Sequence, residues 1–380
     1  MATLTSVPVF LPEDKVPSKR MVRDIIGTFL TSEWPTVDPE TLTIQYHASF
    51  ANAHCPVERP QPTNGAPLEP LKVFIKFHNE SGSDFEVFRH LAPSKADEAT
   101  LCDEYGRSGL GAKMYGFFKT NDGTLGRVDE FLDARTLEPE DVEDEAIRAD
   151  VAKGLAAFHS LHNTSLRKKS VQAYYEAVTS GLAKYHQNEK LKTLGREGRV
   201  NVDKLIDYNF ATRLRKVVGK LESIGAKTGS CIHDVQFMNV LVMNDPKEGA
   251  SRIVLIDFEF VMHNYRAFDI GGHYMQKLFK WFDDDNKIAD CRPYAEHEKR
   301  HFCREYAEKW NELTGDSDTG EQVYLEAEYG YMLAITFDIH NMLCFMDEQG
   351  DKDPLNLMGL NKLFDEFVDQ YKKLGLEDSE

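Results

Sequence analysis

Hydrophobic positions recur at two different periods along this chain, and the change from one to the other divides it. Over residues 16–30, Val22, Ile25, Ile26, Phe29 and Leu30 return at helical spacing, which predicts a first helix. TLTIQYHASFANAH is strand-like at Leu42, Ile44 and Tyr46, and CPVERPQPTNGAPLEP (55–70), rich in Pro and Gly, reads as a loop. LKVFIKFH reads as a strand from Val73 to Phe77 that carries Lys76. Residues 84–92 and 97–108 read as helical, the latter containing Glu98, Leu101 and Tyr105, and GAKMYGFF and TLGRVDEFL read as two more strands. Beyond Leu132 the pattern is mostly helical. Pro139, with Glu138, Glu140, Asp141 and Glu143 around it, predicts a helix start, because acids complement the positive end of the helix dipole. One short hairpin near 240–256 interrupts the helices. The predicted fold class is α+β: a small β-rich N-terminal lobe (1–130), a hinge near 129–133 and a large, mostly helical C-terminal lobe (131–380).

Composition narrows the picture. The chain has 380 residues, 41% of them hydrophobic and 23 of them Phe, enough for a large two-lobed core and a poor fit to a disordered chain. Acids number 63 against 45 lysines and arginines, a net charge of −18, with no basic stripe of the kind nucleic-acid binders carry. Such a field repels a nucleotide at long range, so a nucleotide site needs local lysine and a divalent metal. The same field favours a cationic substrate. The six cysteines form no CxxC pair and read as reduced thiols, which suits the cytoplasm. The opening MATLTSVPVFLPEDK is too short in apolar residues for a secretion signal, and no window reaches the length of a membrane span, so the expectation is a soluble intracellular protein.

The segment CIHDVQFMNVLVMNDPKEGASRIVLIDFEF carries the chemistry. Val240–Met243 and Arg252–Ile256 are strand-like runs separated by an eight-residue turn-rich loop, 244–251. Antiparallel pairing with Met243 opposite Arg252 puts Asn239 opposite Ile256, with Asp257 beside it at the same mouth. An amide oxygen and a carboxylate meet there, the hard ligands that magnesium prefers. Asp234, in the entry loop, can reach the same mouth and orient or accept the proton of an attacking hydroxyl. Lys76 is the candidate for the α- and β-phosphates, with Glu98, or alternatively Glu86, as its positioning acid. The plain structural alternative is that Asp234 caps a turn, Asn239 satisfies a loop and Asp257 ends a strand. Against it, Asp257 follows four consecutive apolar residues, a costly place for an unpaired charge.

These residues resemble the choline/ethanolamine kinase family, which carries HNDxQxGN followed by IDFEYxxYNxRxFDIxNHF. This chain reads IHDVQFMN and then IDFEFVMHNYRAFDIGGHY, with Asp257, Phe258, Glu259, Asn264, Arg266, Phe268, Asp269, Ile270 and His273 in place. LGAKMYGFF and VAKGLAAFHSLH resemble further family segments, and counting back from Gly111 favours Glu98 over Glu86. The resemblance covers roughly 70–375 and implies a two-lobed protein-kinase-like fold, ATP with Mg2+, and phosphorylation of choline or ethanolamine for phospholipid head groups. It implies Asp234 as catalytic base, Asn239 and Asp257 as metal ligands, and Lys76, Glu98, Asn52 and Glu130 around the nucleotide. It places Gln236 near the substrate alcohol, Phe260 and Trp281 at cage positions, and Arg266 and Asp269 as buttresses. It further implies a homodimer; that no membrane insertion is expected follows from the apolar windows above.

Departures are equally specific. The family's histidine two before the base is Ile232 here, and the glycine before the metal asparagine is Met238. The glycine-rich nucleotide loop reads ASFAN, keeping Asn52 but no glycine, which hinders backbone approach to phosphate. A family glutamate is Gln276, two late tryptophans are Ile339 and Met342, and Tyr331 and Asp338 are candidates to compensate. Two alternatives therefore stay open: a kinase of another small alcohol such as an aminoglycoside or sugar, and a pseudokinase acting as a binding module.

Overall fold

The computed structural model describes residues 2–14, 16–48, 52–62, 65–78, 93–161 and 170–377. The predicted helix over 84–92, Glu86 and the centre of the ASFAN segment lie outside these. The chain divides into two compact units: among the described residues, one takes everything up to Ala134 with Met243–Asp245, and the other takes Arg135–Val242 and the chain from Pro246 on.

The first unit is built on β1 (Leu4–Val7), α1 (Lys19–Phe29), β2 (Thr43–Ile44), β3 (His47–Ala48), β4 (Asn52–Glu58), β5 (Lys72–His78), α2 (Lys95–Arg107), β6 (Met114–Thr120) and β7 (Leu125–Glu130). Its sheet runs β1–β6–β7–β5–β4–β2, with β3 beside β4. The apolar stripe read over 16–30 faces this sheet: Val22, Ile25 and Ile26 are fully buried in one cluster with Val73, Ile75 and Phe77. Ser18 starts the helix by accepting the Met21 amide at 3.3 Å.

One strand here was not anticipated, and one sequence expectation is corrected. β1 pairs parallel with β6 although its four residues, mostly outside the core, gave no strand signal. The stretch read as loop from residue 55 instead continues β4 to Glu58, so the loop starts at Arg59. Pro56 is tolerated because it lies opposite Gln45, in the gap between β2 and β3, where its carbonyl accepts the Gln45 amide at 3.1 Å and no proline N–H is called for.

The second unit contains β8 (Ala134–Thr136), α3 (Glu145–His159), α4 (Val171–Tyr185), α5 (Glu189–Glu197), α6 (Asp203–Asp207), α7 (Phe210–Ser223), β9 (Thr228–Cys231), β10 (Val240–Met243), β11 (Ile253–Leu255), β12 (Met262–Tyr265), α8 (Ala267–Gln276), α9 (Glu296–Thr314), α10 (Gly320–Gln349) and α11 (Pro354–Lys373). The helix expected at Pro139 begins at Glu145. Asp144 caps it, accepting the Ala146 and Ile147 amides at 2.7 and 3.1 Å, while Asp141 is diverted to Arg135. The β9–β12 pair was not anticipated from the sequence, because each strand has only four residues.

The wholly buried α8 crosses α10 at closest approach. A Cβ on Gly330 would sit 1.8 Å from the Ala267 carbonyl oxygen, and one on Gly271 would sit 2.1 Å from the Tyr331 nitrogen. Glycine is what lets these two backbones touch. All six cysteines are free, and among the described residues no helix is long and apolar enough to cross a membrane.

Candidate active site

The hairpin has the register expected of it. Val240 pairs with Leu255 and Val242 with Ile253, and the Ile256 amide donates to the Asn239 carbonyl at 3.0 Å. Asp257 therefore begins where the pairing ends, beside Asn239. Its backbone is left-handed, φ 63°, a conformation that aspartate tolerates better than most residues. Held strain of this kind clusters at functional sites. Asn239 ends a 3₁₀ turn (Phe237–Asn239) and turns its amide nitrogen onto the Asp234 carbonyl at 3.1 Å. That fixes which end of the amide points away, and the outward end is an oxygen.

Asp234 lies against both. Its half-buried carboxyl accepts from Gln236 Nε2 at 2.6 Å. Burial, reinforced by the charges of Asp257 and Glu259 against the bonds from Gln236 and Asn239, lifts it to about 6. The donor set of one amide oxygen and one carboxylate beside a second carboxylate fits a small hard divalent cation.

The loop is held from below. His233, also left-handed at φ 65°, precedes Asp234, and Asp269 at the start of α8 accepts the Ile232 and His233 amides at 2.5 and 2.9 Å. Asp269 is itself fixed by His159 Nε2 at 2.9 Å, and His159 Nδ1 meets the Tyr306 hydroxyl at 2.7 Å. The His233 ring bridges the Cys231 carbonyl (3.1 Å) and Asn264 Nδ2 (2.9 Å), and burial holds it neutral, at about 4. Ile232 thus stands in a loop anchored through its backbone. His159, Cys231 and Asp269 lie within 4.8 Å of one another, but Asp269 and His159 spend their polar atoms on this buttress.

In the first unit, Lys76 is buried on β5 with Nζ 3.8 Å from Glu98 Oε1. Burial pushes the Glu98 carboxyl upward, but Lys76, His78, Arg127 and Lys95 outweigh it and keep the group well below the usual carboxylate range. Sequence reasoning missed Arg127, which stands opposite Lys76 on β7 and bonds both Glu98 (3.1 Å) and Asp129 (3.1 Å). An arginine on a strand with no apolar alternation around it gave no sign of facing inward. Asn52 is buried with Oδ1 3.1 Å from His78 Nδ1, and Glu130 accepts the Lys113 amide at 3.2 Å.

A model of the choline/ethanolamine kinase family matches residues 72–345, nearly three quarters of the chain. The chain belongs to the choline/ethanolamine kinase family. It is 23% identical over 282 residues to the human choline/ethanolamine kinase and 28% identical over 202 residues to mouse choline kinase alpha. These matches cover 73% and 52% of this chain, and 66% and 42% of those relatives' own length. Among solved structures, choline kinase from Cryptosporidium parvum superposes with a TM-score of 0.66 at 14% identity, covering 93% of this chain and 96% of that one. An ethanolamine kinase from Plasmodium vivax gives 0.59 at 19%, covering 96% and 92%. The kinase-like fold expected from the sequence is the one found.

Within this kinase-family unit, Gln236, Gln276 and Trp281 line a cavity of about 270 Å³ together with Phe237, Phe279 and Phe282. Gln276 Nε2 donates to Asp338 Oδ2 at 3.1 Å, and Trp281 Nε1 donates to Gln276 Oε1 at 3.0 Å. Trp281 stacks on Phe279 with ring centres 4.4 Å apart. Phe260 sits half-buried in the turn after Asp257. Tyr331 is not drawn into this group: its hydroxyl donates to Glu366 at 2.7 Å, and Lys299 lies 5.4 Å from its ring centre.

Proposed function

We propose that this protein transfers the γ-phosphoryl group of ATP to the hydroxyl of a small amino alcohol, ethanolamine or choline. The observation that carries this reading is the convergence of Asp234, Asn239 and Asp257 at one mouth of the hairpin. Asp234, aimed by Gln236, accepts the substrate hydroxyl's proton as the new oxygen–phosphorus bond forms. The bond between the γ-phosphorus and its bridging oxygen breaks in the same displacement, and its electron pair leaves with ADP. Asn239 and Asp257 would hold Mg2+, whose charge neutralises the phosphate oxygens when bound. Burial raises Asp234 into a range where a carboxylate is a better base than in water, and Asp269 keeps it there by holding the two preceding amides. On this reading both substrates are water-soluble and the enzyme works in the cytoplasm.

Purified protein with Mg-ATP and either amino alcohol should yield the phosphorylated alcohol and ADP in equal amounts, read by phosphorus NMR. Turnover of sugars or aminoglycosides and of neither amino alcohol would sink the reading.

Lys76 is the proposed contact for the α- and β-phosphates. Lys76→Met should raise the KM for ATP roughly 10- to 150-fold, the equivalent of losing about 1.5–3 kcal/mol of charge-assisted hydrogen bonding. The KM for the alcohol should be unmoved. The variant should fold, because Glu98 keeps Arg127 and Lys95 as partners. An unchanged KM for ATP removes Lys76 from that role.

A further inference from the structure

The second carboxylate near the base has a place in the fold that no charge among the described residues accounts for. Asp338 projects from α10, half-buried, and its hydrogen bond among the described residues is the one from the Gln276 amide. No lysine, arginine or histidine among the described residues pairs with it. It nevertheless senses Asp234: burial first, and then the charge of Asp234, push the Asp338 carboxyl up to about 8. An acid kept from ionising by burial beside another carboxylate gives up its proton once a cation sits against it.

The surroundings say what kind of cation. Gln276 cannot turn its acceptor oxygen inward, because that oxygen is held by Trp281 Nε1 at 3.0 Å. Its amide nitrogen is thereby committed to Asp338, leaving the second Asp338 oxygen to accept from a ligand. Two of the rings that line the cavity are paired with each other: Phe279 and Trp281 are parallel within 5° at 4.4 Å, so each covers one face of the other. A trimethylated nitrogen has no N–H to give and is best held by several open ring faces. An ammonium with N–H groups is best held by charged acceptors in good geometry.

Resting on the reading above, we propose that Asp338, oriented by Gln276, anchors the substrate's charged nitrogen and selects one that carries N–H groups, a primary ammonium, over a trimethylated one. The amino alcohol then lies with its hydroxyl at Asp234 and its ammonium at Asp338. Gln236 and Gln276, which donate to Asp234 and Asp338, line the same cavity.

The test is kcat/KM for ethanolamine and its mono-, di- and trimethylated forms, at saturating Mg-ATP. Wild-type values should fall with each added methyl, by tenfold or more across the series. Asp338→Asn should raise the KM for ethanolamine by roughly 30-fold or more, the size expected for truncating one side of a desolvated charge pair. It should leave the KM for ATP unchanged and affect choline least. Because the wild-type series is read without any substitution, a variant that folds poorly does not weaken the test. Wild-type preference for choline overturns this inference alone, as does an Asp338→Asn loss equal for all four alcohols. Turnover of none of the four overturns the amino-alcohol reading together with it.

Discussion

Asp234→Asn is expected to lower kcat roughly 10²- to 10⁴-fold, the range for removing a general base, while leaving the KM for ATP within a small factor of wild type. Asparagine keeps the shape and can still bond Gln236, but it cannot take a proton from the attacking hydroxyl. Stability should move the other way or not at all. A carboxyl whose folded-state value is raised is charged at a cost in the folded protein. That cost appears as pH rises from the ordinary carboxylate range through about 6 and persists above it. Removing the charge relieves it, so at pH 7 without added metal the variant should melt at or above the wild-type temperature. Loss of activity with gained or equal stability is the mark of a group kept for chemistry. A variant with wild-type turnover, or one that loses activity only because it unfolds, would falsify the assignment of Asp234 as base.

Much of this site was legible in the sequence because the hairpin is governed by local rules. Two short apolar runs and an eight-residue turn-rich loop leave one sensible register, and that register decides that Asn239 and Asp257 share an end. Lys76 and Glu98 were legible through a strand and a helix whose periods are clear. What stayed hidden was decided by partners far along the chain. Arg127 turns inward because Glu98 and Asp129 are both there to receive it. β1 exists because β6 offers it an edge, and Pro56 sits inside a strand because its neighbour is interrupted opposite it. Tyr331 and Asp338 lie two helical turns apart on α10 and looked equivalent as possible compensators. Glu366 on α11 captures the tyrosine, while Gln276 on α8 holds the aspartate, a distinction that no window on α10 contains.

The largest stability effect is expected far from the chemistry, at Arg266. Its fully buried guanidinium forms a two-pronged bond with Glu326, Nε at 2.8 Å and Nη2 at 3.0 Å, and reaches Asp318 at 2.6 Å. Trp310 and Tyr306 lie 5.0 and 5.6 Å from it, ring centre to carbon. Arg266→Met keeps much of the volume but strands Glu326, itself fully buried, with Gln322 its one remaining side-chain donor among the described residues, and leaves Asp318 with Lys227. Breaking a buried pair from one side costs about 3–5 kcal/mol, most of it the burden of the uncompensated charge. The diagnostic comparison is the double variant Arg266→Met with Glu326→Leu, which removes both charges and should recover much of that loss in urea unfolding at pH 7. Catalysis should suffer with the single variant even in the fraction that stays folded. Arg266 stands at the N-terminal boundary of α8, tying it to Glu326 and Asp318, and Asp269, three residues on, is what holds the Ile232 and His233 amides beneath Asp234. A fraying first turn of α8 would loosen the base without touching it, so kcat should fall while the KM for ATP holds. A single variant that unfolds within about 1 kcal/mol of wild type would show that the helix start is held by packing alone and that this buried charge network is dispensable.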